Sequence, residues 1–329
     1  MQFTDNRIEF LLKDKDLQNP KSFEDLGYMF FGPLLFNFFE WLKPSLTDCD
    51  LVLFNSREGY FLIQIYELFK EKYNLPKYEY FKTSRKISSV ASIFDKNDIY
   101  KTFELHRYSG KLSHLLENRF GIKVKVNNDY NIDTLQKIPN IDEYVEQILK
   151  NSGRARVEYE KYVKNIIGNS TNIVMVDSGY QGTTQYNIEK TFDINCKGRY
   201  ITYKGNLDIK DAKGFCDFHK GYFKDNIVFF ESVFTDKVGT YIDIIDGKFQ
   251  NENIEIKFFD EKQNIVNGIK QFVIECFNYN TDDVISYEYS DYIFNLMCKK
   301  DYIKNDKLFD IFTHDNYYVR NVIKKIERK

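Results

Sequence analysis

The sequence has few of the residues that build metal centres or disulfide frames. It contains five cysteines and four histidines in 329 residues. The cysteines are odd in number, widely spaced and without a C-x-x-C motif, which argues against a disulfide framework and a structural zinc site. No two histidines stand four residues apart, so a histidine-based metal centre is not predicted. Reduced thiols in a cytoplasmic protein are the resulting expectation.

The chain also lacks an excess of either charge and a long apolar run. Its formal net charge is −2, so nucleic acid is not expected as a partner. The N-terminus lacks the basic-then-apolar order of a signal peptide. The most apolar stretch, residues 27–42, is shorter than the roughly 20 residues of a membrane span and contains Glu40. We therefore expect a core or interface helix there, and no transmembrane segment.

One strand–loop–helix unit stands out from the remainder. Residues 173–176 are apolar, which predicts a buried strand, and this strand ends at Asp177. A helical pattern begins at Gln185, after a loop of small and hydroxyl residues that includes Ser178, Gly179, Gly182, Thr183 and Thr184. Backbone N–H groups of such a loop, together with a helix N-terminus, can bind phosphate. The alternative is an ordinary strand-to-helix turn capped by a threonine.

A second unit precedes it in the chain. Residues 50–54 predict a buried strand and residues 61–73 a helix. In the loop between them, Arg57 is well placed for pyrophosphate because its planar fork pairs with two oxygens. The alternative is a surface ion pair with Glu58. The strand at 76–81 leads into a cationic segment, Lys82-Thr83-Ser84-Arg85-Lys86, which is either a solvated loop or an anion clamp.

The order of elements predicts an α/β fold with a mostly parallel sheet flanked by helices. Residues 87–168 show helical spacing without a convincing strand and predict a helical insertion. A hairpin is predicted at 239–249. We therefore expect a catalytic α/β domain at 1–250 and a helical C-terminal subdomain at 251–329. Ligands of such sheets bind at the carboxyl ends of the strands, where both polar loops fall.

The two loops resemble those of the type I phosphoribosyltransferase family, which binds phosphoribosyl pyrophosphate (PRPP). In that family a first loop holds pyrophosphate, a cationic loop follows, and a later strand ends in D-D-x-x-x-T-G-x-T, which holds ribose 5-phosphate. Residues 176–184 read V-D-S-G-Y-Q-G-T-T and match the second acid, the Gly and the final Thr. They depart from the pattern at Val176 and Gln181, so one of the two acids that hold the ribose hydroxyls and the metal is missing.

A closer similarity is to a domain of bacterial capsule and O-antigen loci that is often labelled haloacid-dehalogenase-like. Four ordered motifs carry it: D-L-G-Y with G-P-L-L at 25–35, R-E-G-Y-F-L at 57–62, S-R-K at 84–86, and V-D-S-G with G-T-T-Q at 176–185. Some members resemble PRPP-dependent enzymes that add ribofuranose 5-phosphate to a glycan. The dehalogenase-like label fits poorly, because no strand here ends in the D-x-D-x-T/V nucleophile motif.

The resemblance implies a transferase that moves a 5-phosphoribosyl group from PRPP to a sugar hydroxyl of a bacterial surface polysaccharide, with Mg²⁺ as cofactor. Implied partners are PRPP, a glycan acceptor, a separate phosphatase and other polysaccharide-assembly enzymes, with peripheral attachment to the inner membrane left open. Asp177, Arg57 and Glu58 would be catalytic, and Asp177 would also bind the metal. Substrate would be bound by Gly59, Ser84, Arg85, Lys86, Ser178, Gly179, Gly182, Thr183 and Thr184. Glu58 and Glu231 are candidates for the base.

Two other functions remain open. The first is a phosphohydrolase with Asp177 as nucleophile, which Gly179 disfavours because a second acid is expected at that position. The second is a noncatalytic scaffold subunit of a polysaccharide-assembly complex, which would use the Phe- and Tyr-rich surfaces and the C-terminal helices.

Overall fold

A five-stranded parallel sheet forms the centre of the structure. The computed structural model describes residues 6–105, 108–126, 129–134, 136–137, 139–253, 257–279, 287–299 and 301–313. The strands are β1 (Leu51–Asn55), β2 (Tyr78–Phe81), β3 (Ser109–Lys111), β4 (Asn131–Asp133), β5 (Ile173–Tyr180), β6 (Cys196–Tyr203), β7 (Ala212–Asp217), β8 (Tyr241–Ile245) and β9 (Lys248–Asn251).

Some of the helices cover the two faces of this sheet and others pack outside it. They are α1 (Asn6–Leu12), α2 (Phe23–Leu26), α3 (Gly32–Leu42), α4 (Gly59–Tyr73), α5 (Arg85–Ala91), α6 (Lys96–Leu105), α7 (Leu112–Phe120), α8 (Val145–Ile167), α9 (Thr183–Phe192), α10 (Phe223–Val233), α11 (Phe259–Asn278), α12 (Tyr287–Met297) and α13 (Asp306–Thr313). A π-helical turn, Gly27–Phe31, joins α2 to α3. Within the described ranges, no helix is both long and apolar enough to cross a membrane.

The strand order of the main sheet is β2-β1-β5-β6-β7, and all four pairings are parallel. The prediction of a parallel sheet flanked by helices is therefore confirmed. From β1 the chain first adds β2 on one side. It then returns to the other side of β1 and adds β5, β6 and β7, so the direction of strand addition reverses between β1 and β5. Such a switch point is where open α/β sheets form their ligand crevice.

The two central strands are apolar throughout because both of their faces are covered. Val52, Phe54, Val174 and Val176 lie in the core that contains α3, α4, α10 and α11. Leu51, Leu53, Ile173 and Met175 lie in a second core on the opposite face, against α8 and α9. Side chains of a strand alternate between faces, so the two sets together account for the unbroken apolar pattern.

Residues 87–168 are mainly helical, but the prediction that no strand interrupts them is wrong. β3 pairs antiparallel with β4, and each has three residues. Strands this short give no readable alternation in sequence. The segment packs around a core of its own, with Ile99, Leu115, Phe120 and Ile148 among its buried residues. Its status as an insertion stays a prediction.

Helix α11 crosses the α2–α3 helix at two glycines that touch the opposing backbone. A Cβ atom on Gly27 would lie 1.9 Å from the carbonyl oxygen of Ile265, and one on Gly268 would lie 1.9 Å from that of Glu24. Ile265 and Phe272 of α11 belong to the same core as α3 and α4. α11 is thus part of the core under the sheet, and the domain boundary at residue 250 stays a prediction.

Replacing Gly268 by alanine is expected to destabilise the protein by about 1–3 kcal/mol, because the added methyl group forces two backbones apart. Gly153 on α8 is a matched control, since a Cβ there would meet nothing within 4 Å. Gly153→Ala should stabilise by about 0.5–1 kcal/mol, because alanine loses less chain entropy in a helix. Urea unfolding measures both. Equal effects of the two substitutions would contradict the close crossing.

Candidate functional site

Asn55 at the end of β1 and Asp177 within β5 meet at the switch point. Asn55 is the last residue of β1, and its Nδ2 atom donates a 2.7 Å hydrogen bond to Oδ2 of Asp177 on β5. The contact follows from the strand register, in which Phe54 pairs with Val176. Asn55 is buried, whereas Asp177 is half-buried. Asp177 therefore keeps partial access to solvent at the switch point.

The charge of Asp177 raises the pKa values of two further acids. Glu58 lies at the start of α4 and is only 7% exposed, and Glu231 lies on α10. Burial raises the pKa of Glu58 to about 8; the charge of Arg57 opposes this rise, and those of Glu231 and Asp177 add to it. Three acids that influence one another in a buried place are typical of a functional site rather than of a structural ion pair.

The other two acids have raised pKa values for similar reasons. Burial raises the pKa of Asp177, while hydrogen bonds from Asn55 and from the backbone amides of Ser178 and Gly179 lower it. Burial also raises the pKa of Glu231, against the charges of Arg57 and Arg85. Burial outweighs the arginines at both acids, so the group favours a bound cation or a further proton.

Arg57 contacts this group while part of its side chain remains exposed. Its guanidinium lies 3.5 Å from Oε1 of Glu58, and its side chain is 24% exposed. Because Glu58 is buried, this is not the surface ion pair considered above. Arg57 has a positive φ of 72°, a conformation that costs a non-glycine residue free energy. Its backbone N–H donates to the hydroxyl of Tyr80 at 3.1 Å, which in turn donates to Asp236 at 2.5 Å.

The cationic segment after β2 divides between the site and the scaffold. Arg85 is exposed and its charge lowers the pKa values of Asp177 and Glu231, so it faces the group. Ser84 caps α5 by accepting from the N–H of Ile87 at 3.1 Å, and it donates to the carbonyl of Tyr241 at 2.6 Å. Its hydroxyl is thus engaged in holding the scaffold.

Lys86 is not brought into the group. Burial lowers its pKa, and the acids that oppose this effect are Glu117, Glu252 and Asp243. Asp177 is not among its electrostatic partners, whereas it is a partner of Arg85. The structure therefore separates two neighbouring cations that the sequence placed together.

The predicted strand end at Asp177 and helix start at Gln185 are wrong: β5 continues to Tyr180 and α9 begins at Thr183, so only Gln181 and Gly182 join them. Gly182 is left-handed, with a φ of 73°, and it precedes Thr183 and Thr184, which are buried in the first turn of α9. A Cβ on Gly182 would lie 3.2 Å from the hydroxyl of Tyr200, and Tyr200 pairs with Asp177 in the sheet. The α9 N-terminus is thus separated from the acidic group by one tyrosine ring.

Three residues of the predicted substrate-binding set have evident packing roles. A Cβ on Gly59 would lie 2.9 Å from the backbone of Phe54, and one on Gly179 would lie 2.8 Å from the carbonyl oxygen of Thr202. Ser178 is buried, with its hydroxyl 3.5 Å from Oδ1 of Asp177. Contacts of these residues with substrate stay predictions.

The predicted Mg²⁺ requires oxygen ligands. Among the residues that the structure describes, no three His, Cys, Asp or Glu side chains form a cluster able to hold a metal ion. Mg²⁺ is commonly bound through one or two carboxylates plus substrate phosphates. Asp177 and the adjacent acids Glu58 and Glu231 fit that donor chemistry, since each has a raised pKa that a nearby cation would lower.

Sequence reasoning missed Asn55 as a site residue. The available signal was the one that identified Asp177: a polar residue directly after a run of buried strand residues. An open surface cleft of about 440 Å³ lies elsewhere, on the segment 87–168, and its lining includes His114 and Lys123. It shares no residue with the switch-point group. Its lining has no buried acids that act on one another, so we place the functional site at the switch point.

Replacing Glu58 by glutamine is expected to stabilise the protein increasingly as pH rises. The folded protein holds a proton on Glu58 that the unfolded chain releases between its ordinary pKa of 4.5 and about 8. The free energy of unfolding of the wild type is therefore unaffected by ionisation of Glu58 below pH 4.5 and falls as pH rises from 4.5 towards 8. In EDTA, the gain in unfolding free energy should be larger at pH 8.5 than at pH 5.5 by more than about 1 kcal/mol.

Glu71→Gln, at an exposed position of the same helix, is the control and should leave the wild-type pH dependence unchanged. A gain for Glu58→Gln that is the same at both pH values would show that Glu58 is ionised throughout and would contradict the buried, protonated acid.

No protein-family model matches the chain, and no curated protein is similar to it in sequence.

Proposed function

We propose that the protein transfers a 5-phosphoribosyl group from PRPP to a sugar hydroxyl of a growing bacterial surface polysaccharide and releases pyrophosphate. The observation that carries the proposal is the group of three acids and two arginines at the switch point of the parallel sheet: Asp177, Glu58, Glu231, Arg57 and Arg85. A donor that combines anionic phosphates, a cation and sugar hydroxyls matches this mixture of charges.

Pyrophosphate is assigned to the β1 side of the crevice. Arg57 directly precedes the N-terminal end of α4, where the helix dipole favours an anion. Arg85 approaches the same acids from the loop after β2. Two guanidinium groups can hold the leaving pyrophosphate through paired hydrogen bonds. Mg²⁺ bound with Asp177 would neutralise part of its charge as the bond breaks.

The 5-phosphate is assigned to the turn before α9. The left-handed Gly182 directs the chain so that the N–H groups of Thr183 and Thr184 lie at the helix N-terminus. Such groups, with the positive end of the dipole, bind phosphate without a cationic side chain. In this proposal the ribose of PRPP lies between the two loops, next to Asp177.

The reaction forms a bond between the acceptor oxygen and the anomeric carbon and breaks the bond from that carbon to pyrophosphate, which leaves with the electron pair. Positive charge develops on the ribose ring and is stabilised by the adjacent carboxylate of Asp177. The acceptor proton passes to a carboxylate, for which we favour Glu58: it holds a proton in the free protein, and a cation bound with the donor would lower its raised pKa and leave it ionised. Glu231 stays the second candidate for this base.

The phosphohydrolase alternative is disfavoured by the backbone at Gly179. An acid two residues after the nucleophile would need a Cβ, and a Cβ at this position would lie 2.8 Å from the carbonyl oxygen of Thr202 in the neighbouring strand. The φ of Gly179, 154°, also lies in a region that other residues rarely adopt. Asp177 therefore has no general acid at the position where such phosphatases carry one.

Thermal melting with PRPP and Mg²⁺ tests the donor. A ligand at 100 times its dissociation constant should raise the unfolding free energy by about 2.7 kcal/mol. Arg57→Ala should weaken PRPP affinity at least about tenfold, because it removes a charge-assisted contact to pyrophosphate. Lys77→Ala is the control, since Lys77 is exposed at the amino end of β2, on the opposite edge of the sheet.

Stabilisation of the wild type and of Lys77→Ala, with a weaker response of Arg57→Ala, is the expected result. If PRPP leaves the wild-type melting temperature unchanged, the proposed donor is wrong and a scaffold role becomes the better interpretation. An equal loss in both variants would indicate general charge attraction instead of a pyrophosphate site.

A further inference from the structure

The side-chain amide of Asn55 uses its NH₂ group as a donor, but its carbonyl oxygen has no hydrogen-bond donor within the part of the chain that the structure describes. The residue is only 3% exposed, and its Nδ2 atom donates to Asp177 at 2.7 Å. Its Oδ1 atom is buried and receives no hydrogen bond from the part of the chain that the structure describes. The amide cannot be turned to mend this, because the carboxylate of Asp177 needs the NH₂ group as its donor.

A buried acceptor without a donor costs about 1–3 kcal/mol, so proteins rarely retain one without a reason. Replacing Asn55 by an apolar residue of similar size would remove this cost but would also remove the hydrogen bond to Asp177. The position of the oxygen, beside the switch-point carboxylate, allows its donor to be a group of a bound ligand, or a water that such a ligand displaces.

The chemistry around this oxygen selects the kind of donor. An ionised phosphate has only acceptors and would be repelled by Asp177. A divalent cation would require the oxygens of Asn55 and Asp177 to converge, whereas the amide turns its NH₂ group, and not its oxygen, towards the carboxylate. A hydroxyl group donates one hydrogen bond and carries no charge, so it meets both requirements.

We propose that Oδ1 of Asn55 accepts a hydrogen bond from a ring hydroxyl of the sugar that binds at the switch point, next to a hydroxyl held by Asp177. Asn55 then supplies the second hydroxyl contact, which the apolar Val176 cannot provide. The identity of the sugar as ribose rests on the proposed function. The contact itself rests on the buried amide.

Calorimetric titration with two unreactive ligands tests this contact. Methyl β-ribofuranoside 5-phosphate carries both ring hydroxyls, and its 2,3-dideoxy analogue lacks them. The wild type should bind the first at least about tenfold more tightly, because the analogue leaves buried acceptors unpaired. In Asn55→Ala this preference should shrink about tenfold. Asn55→Ser is measured as well, in case the alanine variant does not fold.

Asn169→Ala is the matched control, since Asn169 is exposed before the amino end of β5; it should keep the wild-type preference. An unchanged preference in both Asn55 variants would overturn the inference while leaving the proposed donor site intact. If the wild type binds neither ligand, no ribose 5-phosphate site exists, and both this inference and the proposed function are contradicted. The titrations are repeated with Mg²⁺ and with EDTA to test a third result. If the Asn55 variants lose the Mg²⁺-dependent part of binding but keep the wild-type preference for the ligand with hydroxyls, Asn55 binds a cation and the inference is overturned.

Discussion

The parallel pairing of β1 with β5 is the interaction on which the rest of the structure depends. It places Phe54 opposite Val176 and therefore brings the next residues, Asn55 and Asp177, into hydrogen-bond contact. A slip of one residue would turn every side chain of the strand to the opposite face and would separate this pair. The two apolar cores on either side of the sheet fix the register, and the register then fixes the site.

The carboxyl edge is an electrostatically costly place in this fold. Burial raises the pKa values of Glu58, Asp177 and Glu231, and the arginines that face them only partly oppose the rise. A fold selected for stability alone would replace such a group by apolar residues. Its retention beside two helix N-termini is understandable if a ligand that carries both anionic groups and hydroxyls completes the site when it binds.

Much of the central sheet was predictable because β1 and the first half of β5 are apolar runs followed by polar residues. The second half of β5, Asp177 to Tyr180, was not recognised as strand because its residues are polar or small. β7 was not predicted, since the segment Ala212–Asp217 is an edge strand with only two fully buried residues. The apolar stretch around Glu231 gave no periodicity that identified α10, and with it no firm position for that acid. The strands β3 and β4 were not predicted either, because three residues are too few to show an alternation of apolar and polar side chains.

The site was predictable in its position but not in its membership. Sequence places Arg85 and Lys86 together, yet successive residues of a helix point about 100° apart, and α5 begins at Arg85. One cation therefore faces Asp177 and the other faces Glu117, Glu252 and Asp243. Likewise the sequence predicts Ser84 as a ligand contact, but its hydroxyl caps α5 and donates to the carbonyl of Tyr241. Such assignments depend on tertiary packing.

Acceptor-dependent release of pyrophosphate is the measurement that tests the central claim most directly. The wild type is incubated with PRPP, Mg²⁺ and a panel of oligosaccharide acceptors, and Asp177→Asn is measured in parallel. The account predicts that an acceptor stimulates release by the wild type and that the variant, with its fold intact by circular dichroism, shows none. Release that needs no acceptor, or that persists in Asp177→Asn, would contradict a phosphoribosyl transfer centred on this carboxylate.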